Sequence, residues 1–518
     1  MEKNFCYETN HDLVETTGGT VRGYDYDGIT MFKGIPYAKA RRWHAPERVS
    51  WKGVLDATSY GYVCPLLSMS RPSGELKVPH RYWVMNEDCQ NLNIWTPSCD
   101  DHKRAVLVWL HGGGYEAGSA IEQVAYEGEN MCRLGDVVVV SINHRLNILG
   151  YFDLSDFGEE YANSGNAGGD DIIAALQWIH DNIIKFGGDP DNVTVFGQSG
   201  GGAKVTTLLQ TPAADGLYAK GVNMSGIIGP ILADEKGSGK ELAEAMMKVL
   251  NIETIEQMEK VPYDILAAVY NKLKPEFVKA GKYTGCKPHP NAYYLGDPEF
   301  NGFREETKDI PLMVGSTYGE FNGFSAENEK RFELSEHERH FLVNGVLGDE
   351  AMEAIVPLYQ KAYPNHILPD LLTLDVLFRA PEIKYLNLRR KLNNATYSYI
   401  FDVEQPVNVG TVPWHCSDIP YWFHNTELVP STQKTGVTER IESEMFEALI
   451  AFAKTGSPSH DGIPAWKPCN AEEENTMIFC DSTRTAVNFD HELIEAMLKY
   501  GKELTAANLA KVFGNVQH

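Results

Sequence analysis

The most constraining stretch of the chain is Val193-Thr194-Val195-Phe196-Gly197-Gln198-Ser199-Gly200-Gly201-Gly202. Three β-branched residues predict a strand that ends in G-x-S-x-G, and Ala203, Val205, Leu208 and Leu209 follow as a helix pattern. Glycines two positions before and after the serine relieve the crowding of so sharp a turn. Such an elbow lifts a serine hydroxyl into a cleft and points the first amides of the helix at the reacting oxygen.

A second strand, Leu107-Val108-Trp109-Leu110, runs into His111-Gly112-Gly113-Gly114-Tyr115. This is the pattern that supplies an oxyanion-hole amide in lipases and esterases, since glycine lets backbone approach a substrate closely. In all, Val- and Ile-rich runs bounded by turn residues lie at Ala105–Leu110, Val137–Ile142, Val193–Phe196, Pro311–Val314 and Thr396–Val403. They read as buried strands of a mostly parallel sheet. A helix is predicted over Asp171–Phe186, with Ile172, Ala175, Leu176, Ile179 and Ile183 on one face. Alternating strand and helix implies an α/β sheet with helices on both faces. Asp234–Lys240 and Glu327–Glu336 read as surface loops beside helical excursions, so residues 1–518 are expected to form one domain.

Composition narrows the function. Hydrophobic residues at 43% and charged residues at 23% suit a globular chain with a large core. Acidic residues number 71 against 46 basic, a formal charge of −25 that repels phosphate backbones, so nucleic acid is not an expected partner. The N-terminus shows no apolar signal region, and no apolar run reaches the ~18 residues needed to span a bilayer. The expected location is the cytoplasm. Nine cysteines in 518 residues do not make a disulfide scaffold.

Three partial motifs lack their chemistry. Gly237-Ser238-Gly239-Lys240 misses the first glycine and the hydroxyl residue of a phosphate loop. His337 and His340 are one residue too close for a zinc-binding helix, and Ser335 with Glu338 reads as a capping box. Cys469 and Cys480 lack the paired close spacing of a zinc site. No metal or cofactor is expected.

Beyond these motifs the chain resembles the type B carboxylesterases, relatives of the cholinesterases in the α/β-hydrolase superfamily. The resemblance covers nearly the whole chain. It runs through Thr17–Gly23, Phe32–Ala38, Glu87–Asn93 and Asn143–Leu146, and is most specific from Asn166 through Gln177-Trp178 and Phe186–Pro190 to Ser199. It implies an α/β-hydrolase fold with a large central sheet and helical excursions around an active-site cleft. It also implies a Ser, then Asp or Glu, then His order of catalytic residues.

Ser199 matches the nucleophile. Glu320, in Gly315-Ser316-Thr317-Tyr318-Gly319-Glu320-Phe321, matches the acid, although Gly319 and Phe321 replace the family's usual Asp and Gly. His415, in Pro413-Trp414-His415-Cys416-Ser417-Asp418-Ile419-Pro420-Tyr421, matches the base. The amides of Gly113, Gly114 and Gly200 match the oxyanion hole, with Gly200 in place of the usual alanine. Arg145 and Asp171 match a buried ion pair of the scaffold. The implied reaction is attack of Ser199 on a small-molecule ester, with His415 moving the proton and Glu320 steadying the imidazolium. A triad alone leaves open an amide, lactone or carbamate substrate. A catalytically silent binding relative remains a third reading, opposed by the presence of both Ser199 and His415.

Two further expectations come from the resemblance. Cys64 and Cys89 match positions that form a disulfide in secreted relatives, and in a reducing cytoplasm they would stay thiols. Gln198 stands where the family usually has Glu, and Ile227 where it usually has Ser. Losing both members of that polar network together avoids an unpaired buried carboxylate. It also removes an attraction for cationic alcohols, so neutral, apolar esters are the expected substrates. Trp83 is out of register with the family's choline-binding tryptophan.

Overall fold

The computed structural model describes residues 4–10, 12–68, 78–228, 237–323, 329–407 and 409–501. Twelve strands form one sheet. In chain order the first six are β1 (Phe5–Cys6), β2 (Tyr24–Tyr26), β3 (Ile29–Pro36), β4 (Asn91–Thr96), β5 (Arg104–Leu110) and β6 (Val138–Ile142). The others are β7 (Gly188–Gln198), β8 (Lys220–Met224), β9 (Leu312–Thr317), β10 (Thr396–Phe401), β11 (Asn475–Phe479) and β12 (Arg484–Val487). Their spatial order is β1-β2-β3-β4-β6-β5-β7-β8-β9-β10-β11-β12. From β6 across to β11 every neighbouring pair is parallel. The flanking strands pair antiparallel.

Residues 105–110 of β5 show why an unbroken apolar run suits this sheet. Ala105, Leu107 and Trp109 face one side, where Ile441, Met445, Leu449 and Phe452 of a covering helix (Thr438–Thr455) pack. Val106, Val108 and Leu110 face the other, against α1 (Ala167–Asn182) through Ile172, Leu176 and Ile179. With successive side chains pointing to opposite faces, both faces are dry only if every residue is apolar. Truncating a side chain such as Trp109 to Ala would cost about 3–5 kcal/mol.

The predicted strands are present with edges moved by a few residues. The helix predicted over Asp171–Phe186 starts earlier, at Ala167, and becomes a 3₁₀ turn at Ile183–Phe186 closed by left-handed Gly187. Residues 234–236 and 327–328 of the two expected loops lie outside the described residues. Helices Gly239–Leu250 and Glu336–Leu347 begin just after them. Ser238 caps the first helix, and Ser335 with Glu338 forms a full capping box on the second. Both helices belong to excursions that leave the sheet after β8 and β9 and pack on apolar clusters of their own. Among the described residues no helix is long and apolar enough to cross a membrane.

The strand order sets the place of the site. The chain steps from β5 to β6 on one side and to β7 on the other, so β5 and β7 are neighbours whose C-terminal ends open at a switch point. Ligands bind outside the carboxyl ends of strands at such a point.

Candidate active site

Leu110 at the end of β5 pairs with Gly197 near the end of β7, so the glycine loop and the serine elbow leave the sheet side by side. Ser199 takes φ 58 and ψ −126, a conformation that costs of order 1–3 kcal/mol for a residue with a side chain. The packing around it over-determines the turn. The Ser199 amide donates to the Met224 carbonyl at 2.8 Å. A Cβ on Gly201 would meet the Leu110 carbonyl oxygen at 1.9 Å, and one on Gly197 would meet Gly201 at 2.5 Å. Helix α2 (Gly200–Leu209) then runs back along the sheet and aims its N-terminus at the cleft.

The other predicted residues converge from neighbouring strand ends. Glu320 follows β9 and His415 lies in the loop after β10; both are buried. His415 Nδ1 is hydrogen-bonded to Glu320 Oε2, and the His415 amide donates to the Glu320 carbonyl at 3.0 Å. The other carboxylate oxygen, Oε1, accepts from the Ser225 hydroxyl at 2.6 Å and the Thr317 amide at 2.7 Å. These bonds leave the carboxylate one acceptor face for the imidazole, which fixes the tautomer that carries its proton on Nδ1. Ser199 and His415 line the same cavity. Ser199, Ser225, Glu320 and Cys416 all have positive φ, a cluster of backbone strain centred on one cleft.

Gly113 and Gly114 take φ +86 and +64, open to glycine at no cost. The turn closes on itself through the Ala117 amide, which donates to the Gly113 carbonyl at 3.0 Å. The amides of Gly113 and Gly114 donate to no acceptor among the described residues.

Gln198 is buried beside His415. Its Nε2 lies 3.4 Å from Nδ1 and 3.3 Å from Nε2 of the ring. Its Oε1 accepts from the Cys416 thiol at 3.1 Å. Ile227 packs into the apolar core instead of a polar network. The ring of His415 is further flanked by Phe321 and Phe378, with centroids at 4.5 and 5.1 Å. Two buried carboxylates stand near Glu320. Burial, then the Glu320 charge, pushes Asp375 up to about 7 and Asp418 up to about 6. Asp375 accepts the amides of Leu377, Phe378 and Arg379, and Asp418 accepts from Tyr399 and Trp422.

The cavity holds about 370 Å³. Aromatic walls come from Tyr82, Trp83, Tyr126 and Phe321. Ile228 and Phe321, at the roots of the two excursions, complete its apolar lining, and Glu122 is its one carboxylate among the described residues. Sequence reading missed Glu122, Phe378 and the Ser225 support of Glu320, because each meets the site only through folding; Phe321 was visible as a departure from the family's glycine. Arg145 and Asp171 form the expected buried ion pair, 2.7 Å apart and far inside the scaffold. Cys64 and Cys89 share one buried cluster as thiols, and the hydrogen bond that the Cys89 thiol makes to Cys64, with burial, raises Cys89 well above its usual range.

A parallel sheet with a strained serine at its switch point, a histidine and a carboxylate behind it, and a glycine loop at its side defines an α/β-hydrolase of the serine esterase class. The carboxylesterase family model matches residues 10–495, and the chain belongs to that family of carboxylic ester hydrolases. It is 31% identical to the para-nitrobenzyl esterase of Bacillus subtilis strain 168, over 92% of this chain and 96% of that one. It is 29% identical to the phenmedipham hydrolase of Pseudarthrobacter oxydans, over 90% and 95%. Among solved structures, an esterase from anaerobic Clostridium hathewayi that can hydrolyse aliphatic aromatic polyesters superposes with a TM-score of 0.93. The two are 47% identical over 96% of this chain and 100% of that one.

Proposed function

We propose that the protein hydrolyses neutral, apolar carboxylic esters through Ser199, His415 and Glu320, with an acyl-enzyme intermediate. The observation that carries this reading is the hydrogen-bonded run Ser225–Glu320–His415 ending at the cavity that holds Ser199. Ser199 Oγ attacks the carbonyl carbon while His415 Nε2 takes its proton. The proton returns to the alcohol as it leaves, and water repeats the cycle on the acyl group. Glu320 steadies the imidazolium. The amides of Gly113, Gly114 and Gly200 receive the tetrahedral oxyanion, each worth about 3 kcal/mol. The apolar and aromatic lining favours uncharged acyl and alcohol groups.

The aromatic walls at Tyr82, Trp83, Tyr126 and Phe321 favour a second, narrower reading, esters with an aromatic acid or alcohol. The likeness to the polyester-hydrolysing esterase supports it. A panel of p-nitrophenyl and benzoate esters, varied independently in acyl length and alcohol bulk, tests both readings. Turnover confined to amides, or no turnover of any ester, rejects the first. Loss of kcat/KM on going from aliphatic to aromatic acids rejects the second. A cytoplasmic location is proposed with the thiol state of Cys64 and Cys89, which a reducing compartment preserves.

A further inference from the structure

Helix α2 carries one charged side chain, Lys204, and it is 1% exposed. Its Nζ donates to the His111 carbonyl at 2.9 Å and lies 5.9 Å from the centre of the Tyr115 ring. Among the described residues it forms no ion pair. His111 and Tyr115 bracket the glycine loop, so this one ammonium touches both ends of it. The two imidazoles behind the loop are uncharged. His111 and His144 stack at 5.0 Å, and burial followed by the Lys204 charge holds both well below the usual imidazole range. A buried ammonium with a single acceptor and no counterion is expensive to keep. Nothing in the packing of α2 demands it, since its neighbours Ala203 and Val205 are apolar.

We infer that Lys204 is a positioning residue of the oxyanion hole, which anchors the root of the glycine loop and places an unbalanced positive charge behind it. The inference rests on the roles proposed above for Ser199 and the glycine amides. A neutral ester leaves this charge unbalanced, whereas the tetrahedral anion balances it. The interaction therefore strengthens on the way to the transition state and acts on kcat rather than KM.

The test compares Lys204→Met and Lys204→Arg with the unmodified enzyme on one p-nitrophenyl ester, with folded sites counted by an organophosphate burst at Ser199. Lys204→Met should lower kcat per active site about 30-fold with KM within about twofold. Affinity for a trifluoromethyl ketone, which binds as an anionic hemiketal, should fall by a similar factor. Lys204→Arg should keep at least about a third of kcat. A Lys204→Met enzyme with normal kcat per site and normal ketone affinity overturns the inference, because a purely structural lysine would lower only the number of folded sites. Failure of the organophosphate to label Ser199 in the unmodified enzyme would instead reject the proposed nucleophile.

If neither variant folds, the unmodified enzyme still decides. Burial lowers Lys204 to about 7. Trifluoromethyl ketone affinity should therefore fall at least about fivefold from about pH 6.5 to about pH 8.5. The groups facing Lys204 do not imitate this. His111 and His144 stay neutral throughout, Tyr115 titrates far above, and Glu122 and Cys64 act only to keep the ammonium charged. Asp170, across the small cavity that Lys204 also lines, is raised by burial to about 6, and its charge likewise favours the ammonium. Affinity that is flat or rising across this range overturns the inference.

Discussion

A methyl group built on Gly200 would lie 2.1 Å from the carbonyl oxygen of Gly114 and 2.4 Å from its Cα. The first residue of helix α2 and the glycine loop are in backbone contact, so alanine, usual in the family at this position, does not fit without moving one of them. Gly200→Ala should lower kcat about 10²–10³-fold while thermal unfolding changes little, since the cost falls on the proposed oxyanion donors rather than on the core. Turnover within about threefold of normal would show that the loop shifts without penalty.

Ser199→Ala should lower kcat at least ~10⁴-fold with the fold intact, and a labelled organophosphate should modify Ser199 alone. Glu320→Gln should retain KM and lose kcat about 10³–10⁴-fold. The glutamine oxygen can still accept from Ser225 and Thr317, but its NH₂ would then face His415 Nδ1 and favour the wrong tautomer. Active Glu320→Gln enzyme would point to Asp375 or Asp418 as the acid.

Neutral esters should be preferred over quaternary-ammonium esters. Gln198 brings no charge to His415, and Arg81 lines the same cavity as Glu122. The comparison is kcat/KM for butyrylcholine against its uncharged carbon isostere. A preference for the cation that persists at high salt would assign a cation site to Trp83, which lines the cavity with its ring against Tyr60. Gln198→Glu should raise kcat/KM for the cation and move the acidic limb of the pH profile upward, because a carboxylate there stabilises the His415 imidazolium.

Asp375 should make the protein more stable as pH falls toward neutrality and below. Its native value of about 7 lies above the ordinary ~3.9 of an unfolded aspartate. Between those values the native state holds a proton that the unfolded state has released, so unfolding free energy declines as pH rises. Asp375→Asn keeps an acceptor for the amides of Leu377, Phe378 and Arg379. The Tm of the variant minus that of the unmodified protein should grow from about pH 5 to about pH 8. A difference independent of pH would show Asp375 ionised throughout.

Titration of thiols after denaturation should find all nine cysteines free in protein handled under reducing conditions. Oxidation should remove two, at Cys64 and Cys89, because they share one buried cluster. That bond would close a loop of about 25 residues and add roughly 3 kcal/mol. Loss of any other pair would contradict the observed adjacency.

The strands of the parallel core were legible where both faces are apolar, as in β5 and β7. Lys220-Gly221-Val222-Asn223-Met224 was not, because β8 hides polar side chains by pairing them: Asn223 donates to Thr206 and accepts from Gly226. At the site, Ser199 and the glycine loop could be read locally, since each is set by a turn that only certain residues make. Glu320 and His415 needed the family pattern. Ser225, Cys416 and Phe378 join the site only through strand order and left-handed backbone, neither of which leaves a local mark. Lys204 did leave one, a lone charge on an otherwise uncharged helix, but within the sequence it looks like a surface lysine.

The close fit of Gly201 against Leu110 and of Gly200 against Gly114 bears on how this enzyme can be redesigned. The proposed nucleophile and the proposed oxyanion donors are packed as one block, so neither can be shifted to suit a new leaving group without dragging the other out of line. Tyr82, Trp83 and Met85 stand on a separate loop that meets the cavity with partly exposed side chains. Libraries confined to that loop should change which esters are accepted while most members stay active, whereas libraries that touch the elbow should yield mostly dead protein.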